Sequence, residues 1–165
     1  MELLAFSPAL AAHASAVAGW PGSAREVALW CGLPEFPVSP ETVTGWHRED
    51  DVRPYLLLDG GEPVGYGELW LDAEEDEVEL ARLIVAPGRR GRGIGRTLVG
   101  GLLARALETG HAEVFLRVHP DNEVALRCYL GAGFAAVDAD LAADWNAAQP
   151  VAYAWLRHVP AGSAA

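Results

Sequence analysis

From Ile94 onward the apolar residues Leu98, Leu102, Leu103 and Leu107 recur at helical spacing, and Gly110 ends the helix they predict. Just upstream the period falls to two, so that Glu77, Glu79 and Ala81 share one face of a strand from Glu77 to Val85. Arg53 to Asp59 and Pro63 to Leu71 flank Asp59-Gly60-Gly61-Glu62, a hairpin signal, and a turn around Ala73 to Asp76 leads into the Glu77 strand. Earlier in the chain, Glu2 to Phe6 reads as an opening strand, and Ser7-Pro8 starts a helix reaching about Ala18. Ser23 with Glu26 makes a capping box for a helix over Ala24 to Cys31, and Ser39-Pro40 starts a short helix reaching about Glu49. Beyond Gly110, Glu113 to Val118 is a buried strand, and Asp121 or Asn122 caps a helix that ends at Gly131. Phe134 to Val137 and Val151 to His158 close the chain as paired strands around a polar loop, Asp138 to Gln149. The order predicts one α+β domain over residues 1–159, followed by a disordered tail at 160–165.

Size and composition narrow the class. A chain of 165 residues builds one sizeable core and is too short for two ordinary domains. No apolar run reaches the length of a membrane span, and Met1 to Ala18 lacks the charged start of a signal peptide. Cys31 and Cys128 alone support neither a disulfide framework nor a zinc site, so a cytoplasmic location without a metal is expected. A formal charge of −11 disfavours nucleic acid and anionic membranes as partners and suits cationic small-molecule acceptors. All twelve basic residues are arginine, and Arg89, Arg90, Arg92 and Arg96 fall within eight positions. Cations at a helix start oppose its dipole unless an anion sits between them.

Those arginines frame Arg90-Gly91-Arg92-Gly93-Ile94-Gly95, which joins the apolar run Leu83-Ile84-Val85 to the helix. Its glycines allow close backbone approach and the helix start offers unpaired N–H groups, a combination that suits a diphosphate. Without lysine the loop is no P-loop, and reading G-x-G-x-x-G from Gly91 puts Arg96 where the third glycine of a dinucleotide fingerprint belongs. The spacing present is R-x-x-G-x-G. About thirty residues on, Asn122, Ala125, Tyr129, Gly133 and Phe134 form N-x-x-A-x-x-x-Y-x-x-x-G-F. With these two motifs in this order the chain resembles the GNAT family of N-acetyltransferases, most closely from about Glu68 to Phe134.

The resemblance implies a central mixed, mostly antiparallel sheet of six to seven strands flanked by helices. It also implies transfer of an acetyl group from acetyl-CoA to a primary amine of a small molecule, peptide or protein, by direct attack in a ternary complex. Arg90, Gly91, Arg92, Gly93, Ile94, Gly95, Arg96 and Thr97 would hold the pyrophosphate, Leu83 and Ile84 the pantetheine arm, and Asn122 would orient the cofactor. The N–H of Val85 would receive the acetyl carbonyl. Tyr129 is the expected general acid and Glu79 the expected base, with Glu68 in reserve and His119 as an alternative base. Many relatives carry a glutamate at the position of Arg117, and its loss leaves a second reading open, a catalytically inactive module that senses acetyl-CoA.

The chemistry requires such groups. Near neutral pH only about a thousandth of an alkyl amine of pKa about 10.4 is unprotonated, so attack needs a base or a shifted pKa. Trp30, Phe36 and Glu68 are the candidate acceptor contacts, with Trp145 as a further wall. Six tryptophans also suit a compact core or a homodimer interface. Cys128 reads as a small buried residue and not as a nucleophile.

Overall fold

The computed structural model describes residues 1–160, and all but the first residue of the tail expected at 160–165 lies outside them. Within them the strands are β1 (Glu2–Ala5), β2 (Val52–Asp59), β3 (Glu62–Asp72), β4 (Glu77–Val85), β5 (Glu113–Val118), β6 (Phe134–Ala136) and β7 (Ala154–His158). They form one sheet in the order β1-β2-β3-β4-β5-β7-β6. Every neighbouring pair is antiparallel except β4 and β5. The resemblance therefore anticipated the sheet, and the last strand enters between β5 and β6.

Each face buries its own core. Leu69, Val78, Leu80, Val114 and Leu116 pack under Ile94, Leu98 and Leu102 of α4 (Ile94–Glu108) and under α5 (Glu123–Leu130). Leu56, Tyr66 and Ile84 pack on the other face against α1 (Ala14–Ala18), α2 (Ala24–Cys31) and α3 (Pro40–Trp46). Gly67 marks how closely α4 sits on the sheet: a Cβ there would lie 2.6 Å from Leu102 Cδ1 and 3.3 Å from Leu83 Cγ. Because Leu102 is fully buried and has nowhere to move, Gly67→Ala is expected to destabilise the fold by about 1–3 kcal/mol in chemical denaturation.

Four local expectations are corrected. The first helix opens as a 3-10 turn, Pro8–His13, because Ser7 provides no side-chain cap and its carbonyl takes Leu10 N at 2.8 Å, an i to i+3 bond. The polar loop after β6 contains a helix, α6 (Ala139–Asn146), started by Asp138 accepting from Asp140 N at 2.9 Å. The closing strand begins at Ala154 and not at Val151, since the Asn146 amide holds both Tyr153 N and Tyr153 O, at 3.1 and 2.9 Å, outside the ladder. The short helix after Ser39 also stops early, α3 ending at Trp46 with i to i+3 bonds from Arg48 and Glu49.

One irregularity positions the site. Tyr66 pairs with Ile84 but Glu68 pairs with Ala81, so Arg82 and Leu83 together oppose Gly67. Arg82 takes φ +50°, a left-handed conformation that costs a residue with a Cβ about 1–2 kcal/mol. It is held there by Glu68, whose Oε2 lies 2.9 Å from Arg82 Nη1, and by Trp30 Nε1 donating to the Arg82 carbonyl at 2.7 Å. The bulge falls where β4 no longer pairs with β5. Their pairing covers only Glu77 to Glu79 against Glu113 to Phe115, although β4 runs on to Val85 and β5 to Val118. A cleft opens between the strands just past Glu79.

Candidate active site

The wide end of the cleft meets the glycine-rich loop. Gly91 and Gly93 have φ of +75° and +80°, which residues with a Cβ rarely adopt. Gly93 is the N-cap of α4 and brings no side chain, so the first N–H to find a helical carbonyl is that of Thr97, bonded to Gly93 O at 3.2 Å. The preceding N–H groups of the turn and the positive end of a four-turn helix are left for an anion. A Cβ on Gly95 would sit in ordinary contact with Cys128 Sγ at 3.5 Å, so the loop lies directly beside α5.

The four clustered arginines divide into two roles. Arg90 donates through Nε to Val85 O at 3.1 Å and lies 3.2 Å from Glu26 Oε2, fastening the loop to β4 and α2. Arg89 is similarly paired with Asp59 and Glu62, each at 3.2 Å. Arg92 and Arg96 are exposed and form no ion pair among the described residues. The cluster thus owes half its charge to internal ties and half to positions open to a ligand.

Along β4, Ala86 N donates to Val64 O at 3.0 Å, toward β3. Alternation then turns the N–H and C=O of Val85 the other way, toward the cleft, where the carbonyl meets Arg90 and the N–H faces the opening. Leu83 packs toward α4 and Ile84 toward the opposite core, a phase reversal caused by the bulge at Arg82. Asn122 caps α5, its Oδ1 accepting from Ala125 N at 3.2 Å. Tyr129 is buried in the α4-side core, and its hydroxyl has no hydrogen-bond partner among the described residues. Burial, and secondarily Cys128, push the phenol well above its ordinary value. Cys128 is itself pushed up by burial, against the reactivity of a nucleophile.

Glu79 stands at the point where β4 and β5 part. Its Oε1 lies 3.0 Å from Arg117 Nε, yet its carboxyl is pushed up to about 7, burial outweighing the opposing pull of Arg117. It faces a cavity of about 380 Å³ whose walls include Trp70, Phe115, Trp145 and Trp155 and whose rim carries Asp51, Asp72 and Glu77. Cross-strand register explains the grouping, since Trp70, Glu79 and Phe115 are direct neighbours on β3, β4 and β5. Trp145 reaches the cavity from α6, edge-on to Phe115 and Trp155 with centroids 5.0 Å from each.

The other expected residues sit elsewhere. Glu68 is fully buried and accepts from Tyr66 Oη, from Trp70 Nε1 at 2.6 Å and from Arg82 at 2.9 Å, and its carboxyl is pushed up by burial. It anchors the bulge and is absent from the cavity lining. Trp30 packs edge-on to Trp46 and Tyr66 behind Arg82. Phe36 is 48% exposed and outside the lining. His119 accepts from Asp121 N at 3.2 Å, which engages its Nδ1. Trp70, Phe115 and Trp155 escaped sequence reasoning. Counting alternate positions back from Asp72 would have found Trp70, whereas Phe115 and Trp155 become neighbours of Glu79 only through pairing between distant segments.

The chain matches the model of a family described as Acetyltransferase (GNAT) family over residues 23–134. A mycothiol acetyltransferase of Corynebacterium efficiens is 36% identical over 90 residues, 54% of this chain and 29% of that protein. The chain thus spans less than a third of that curated relative's length. Among solved structures, the GNAT domain of PAT from S. lividans superposes with a TM-score of 0.74 at 19% identity, covering 94% of this chain and 88% of that one. Spermidine N-acetyltransferase from Vibrio cholerae, crystallised with CoA and spermine, gives a TM-score of 0.69 at 18% identity over 83% and 82%.

Proposed function

Because the chain belongs to the acetyltransferase (GNAT) family, we propose that it transfers the acetyl group of acetyl-CoA to a primary amine within a ternary complex. The observation that carries this reading is the parting of β4 and β5 at Glu79, with an uncapped helix start at one end of the gap and an acid-lined cavity at the other. Acetyl-CoA, as cosubstrate, supplies an activated thioester. Arg92, Arg96 and the N–H groups from Gly93 to Arg96 bind its diphosphate. The N–H of Val85 stabilises negative charge on the carbonyl oxygen, a contribution of several kcal/mol for a preorganised donor. Glu79 takes the proton from the attacking amine, directly or through a water, and a carboxylate of pKa about 7 suits that step near neutral pH.

Tyr129 acts on the departing sulfur. A phenol raised above its ordinary value stays protonated, and complete transfer to a thiolate of pKa about 8.5 is uphill. Its role is therefore to donate a hydrogen bond as charge develops on sulfur. Tyr129→Phe is expected to lower kcat about 10- to 100-fold with acetyl-CoA affinity nearly intact, as steady-state kinetics beside a binding titration would measure. Unchanged kcat would remove Tyr129 from the mechanism.

Amine-dependent release of CoA thiol, with the acetylated amine identified by mass, tests the reading as a whole. One observation favours a second reading: Glu79 is already engaged by Arg117. A sensor module without catalysis predicts acetyl-CoA binding and no thiol release with any amine. We assign the protein to the cytoplasm on the same reading, and sedimentation equilibrium would test its pairing as a homodimer.

A further inference from the structure

The cavity beside Glu79 is larger and more acidic than one reacting amine requires. At about 380 Å³ it has the size of a small-ligand site. Its carboxylates do not converge as a metal site would, and no metal-ligand cluster occurs among the described residues. They run instead along the sheet. Glu77 and Glu79 are two residues apart on the same face of β4, about 7 Å by strand rise, and Asp72 lies directly across from Glu77 on β3.

The two ends differ in their cations. At the Glu79 end, Arg117 already occupies the place of a bound cation: it pairs with Glu79 at 3.0 Å, donates to Gln149 Oε1 at 3.3 Å, and stacks 5.3 Å from the Trp155 ring and 5.5 Å from Trp70. A guanidinium there disfavours a second positive charge and favours the neutral form of an amine, as attack requires. At the other end, neither Asp72 nor Glu77 is paired with an arginine at contact distance among the described residues. Asp72 Oδ1 accepts the backbone N–H of Glu74 and Glu75, each at 3.0 Å. Glu77 is pushed up first by burial and then by the like charges of Glu75, Asp72 and Glu113, partly offset by Arg157. Negative potential there is relieved only in part, by Arg157.

We propose, on the footing of the acetyl-transfer reading, that the acceptor is an amine with a second cationic centre, its reacting nitrogen at Glu79 and its distal ammonium held by Asp72 and Glu77 beside the Trp70 and Trp145 rings. Carboxylate pairing and aromatic faces together recognise an alkylammonium and reject an apolar chain end.

The test compares 1,5-diaminopentane with 1-aminopentane, which differ only in the distal ammonium. The wild-type protein should turn over the diamine with kcat/KM at least about 30-fold higher, and Asp72→Asn combined with Glu77→Gln should collapse that ratio to below about 5-fold. Calorimetry with CoA present should register the diamine binding to the wild type and at least about tenfold weaker binding to the double variant. Equal kcat/KM for the two amines, or no diamine binding to the wild type, overturns the inference while leaving acetyl transfer intact. Diamine binding without turnover of either amine supports the inference and removes the transfer reading.

Discussion

Gly95→Glu is expected to weaken acetyl-CoA binding at least about 100-fold, close to 3 kcal/mol, with little change in thermal stability. The site explains both halves of this result. A Cβ at Gly95 is in ordinary contact with Cys128 Sγ and Val85 Cγ2, at 3.5 and 3.9 Å, so the backbone accepts a side chain. The new carboxylate, however, projects from the first turn of α4, where it takes the N–H groups and the dipole end that the diphosphate would use. Equilibrium dialysis with labelled acetyl-CoA, beside a melting curve, separates loss of binding from loss of fold. Unaltered affinity would place the diphosphate somewhere other than this loop.

The second large effect concerns the base. Glu79→Gln is expected to lower kcat/KM about 100- to 10,000-fold and to abolish the acidic limb of the pH profile. In the wild type that limb should have its midpoint near pH 7. The working form of Glu79 is the carboxylate, its folded pKa is raised from 4.5 to about 7, and the carboxylate is lost as pH falls through that value. The sign for stability is the reverse. With its folded pKa above its ordinary one, Glu79 contributes stability that is fully present below about pH 4.5 and lost as pH rises through about 7. The carboxylate that the reaction needs is thus the form the fold tolerates less well, with Arg117 supplying the partial compensation. A wild-type profile flat from pH 5.5 to 8.5 would exclude Glu79 as the base.

Much of this was legible in local pattern. The apolar residues of α4 repeat at helical spacing and bury as that spacing requires. Ser23 and Asn122 cap the helices they precede, because a cap needs only a side-chain oxygen and an N–H three residues on. Glu79 was assigned to a face by alternation, and the parting of the strands lies beside it. What stayed hidden depends on contacts between distant segments. The left-handed Arg82 is stabilised by Glu68 fourteen residues earlier and by Trp30 fifty-two residues earlier, and no local propensity announces it. The start of β7 depends on Asn146 diverting the backbone of Tyr153. Helix α6 reads as a loop because its acidic, alanine-rich stretch carries only two large apolar residues, Leu141 and Trp145. The pairing of Glu79 with Arg117, which changes the meaning of a missing glutamate, links two strands across thirty-eight residues and a helix.

The central claim is that the chain binds acetyl-CoA between β4 and β5, with its diphosphate on the Arg90 to Gly95 loop. Calorimetric titration of the intact protein with acetyl-CoA, run beside ATP and NAD, tests it most directly. The account predicts micromolar binding of acetyl-CoA alone. No heat with acetyl-CoA, or binding matched by ATP and NAD, would contradict it.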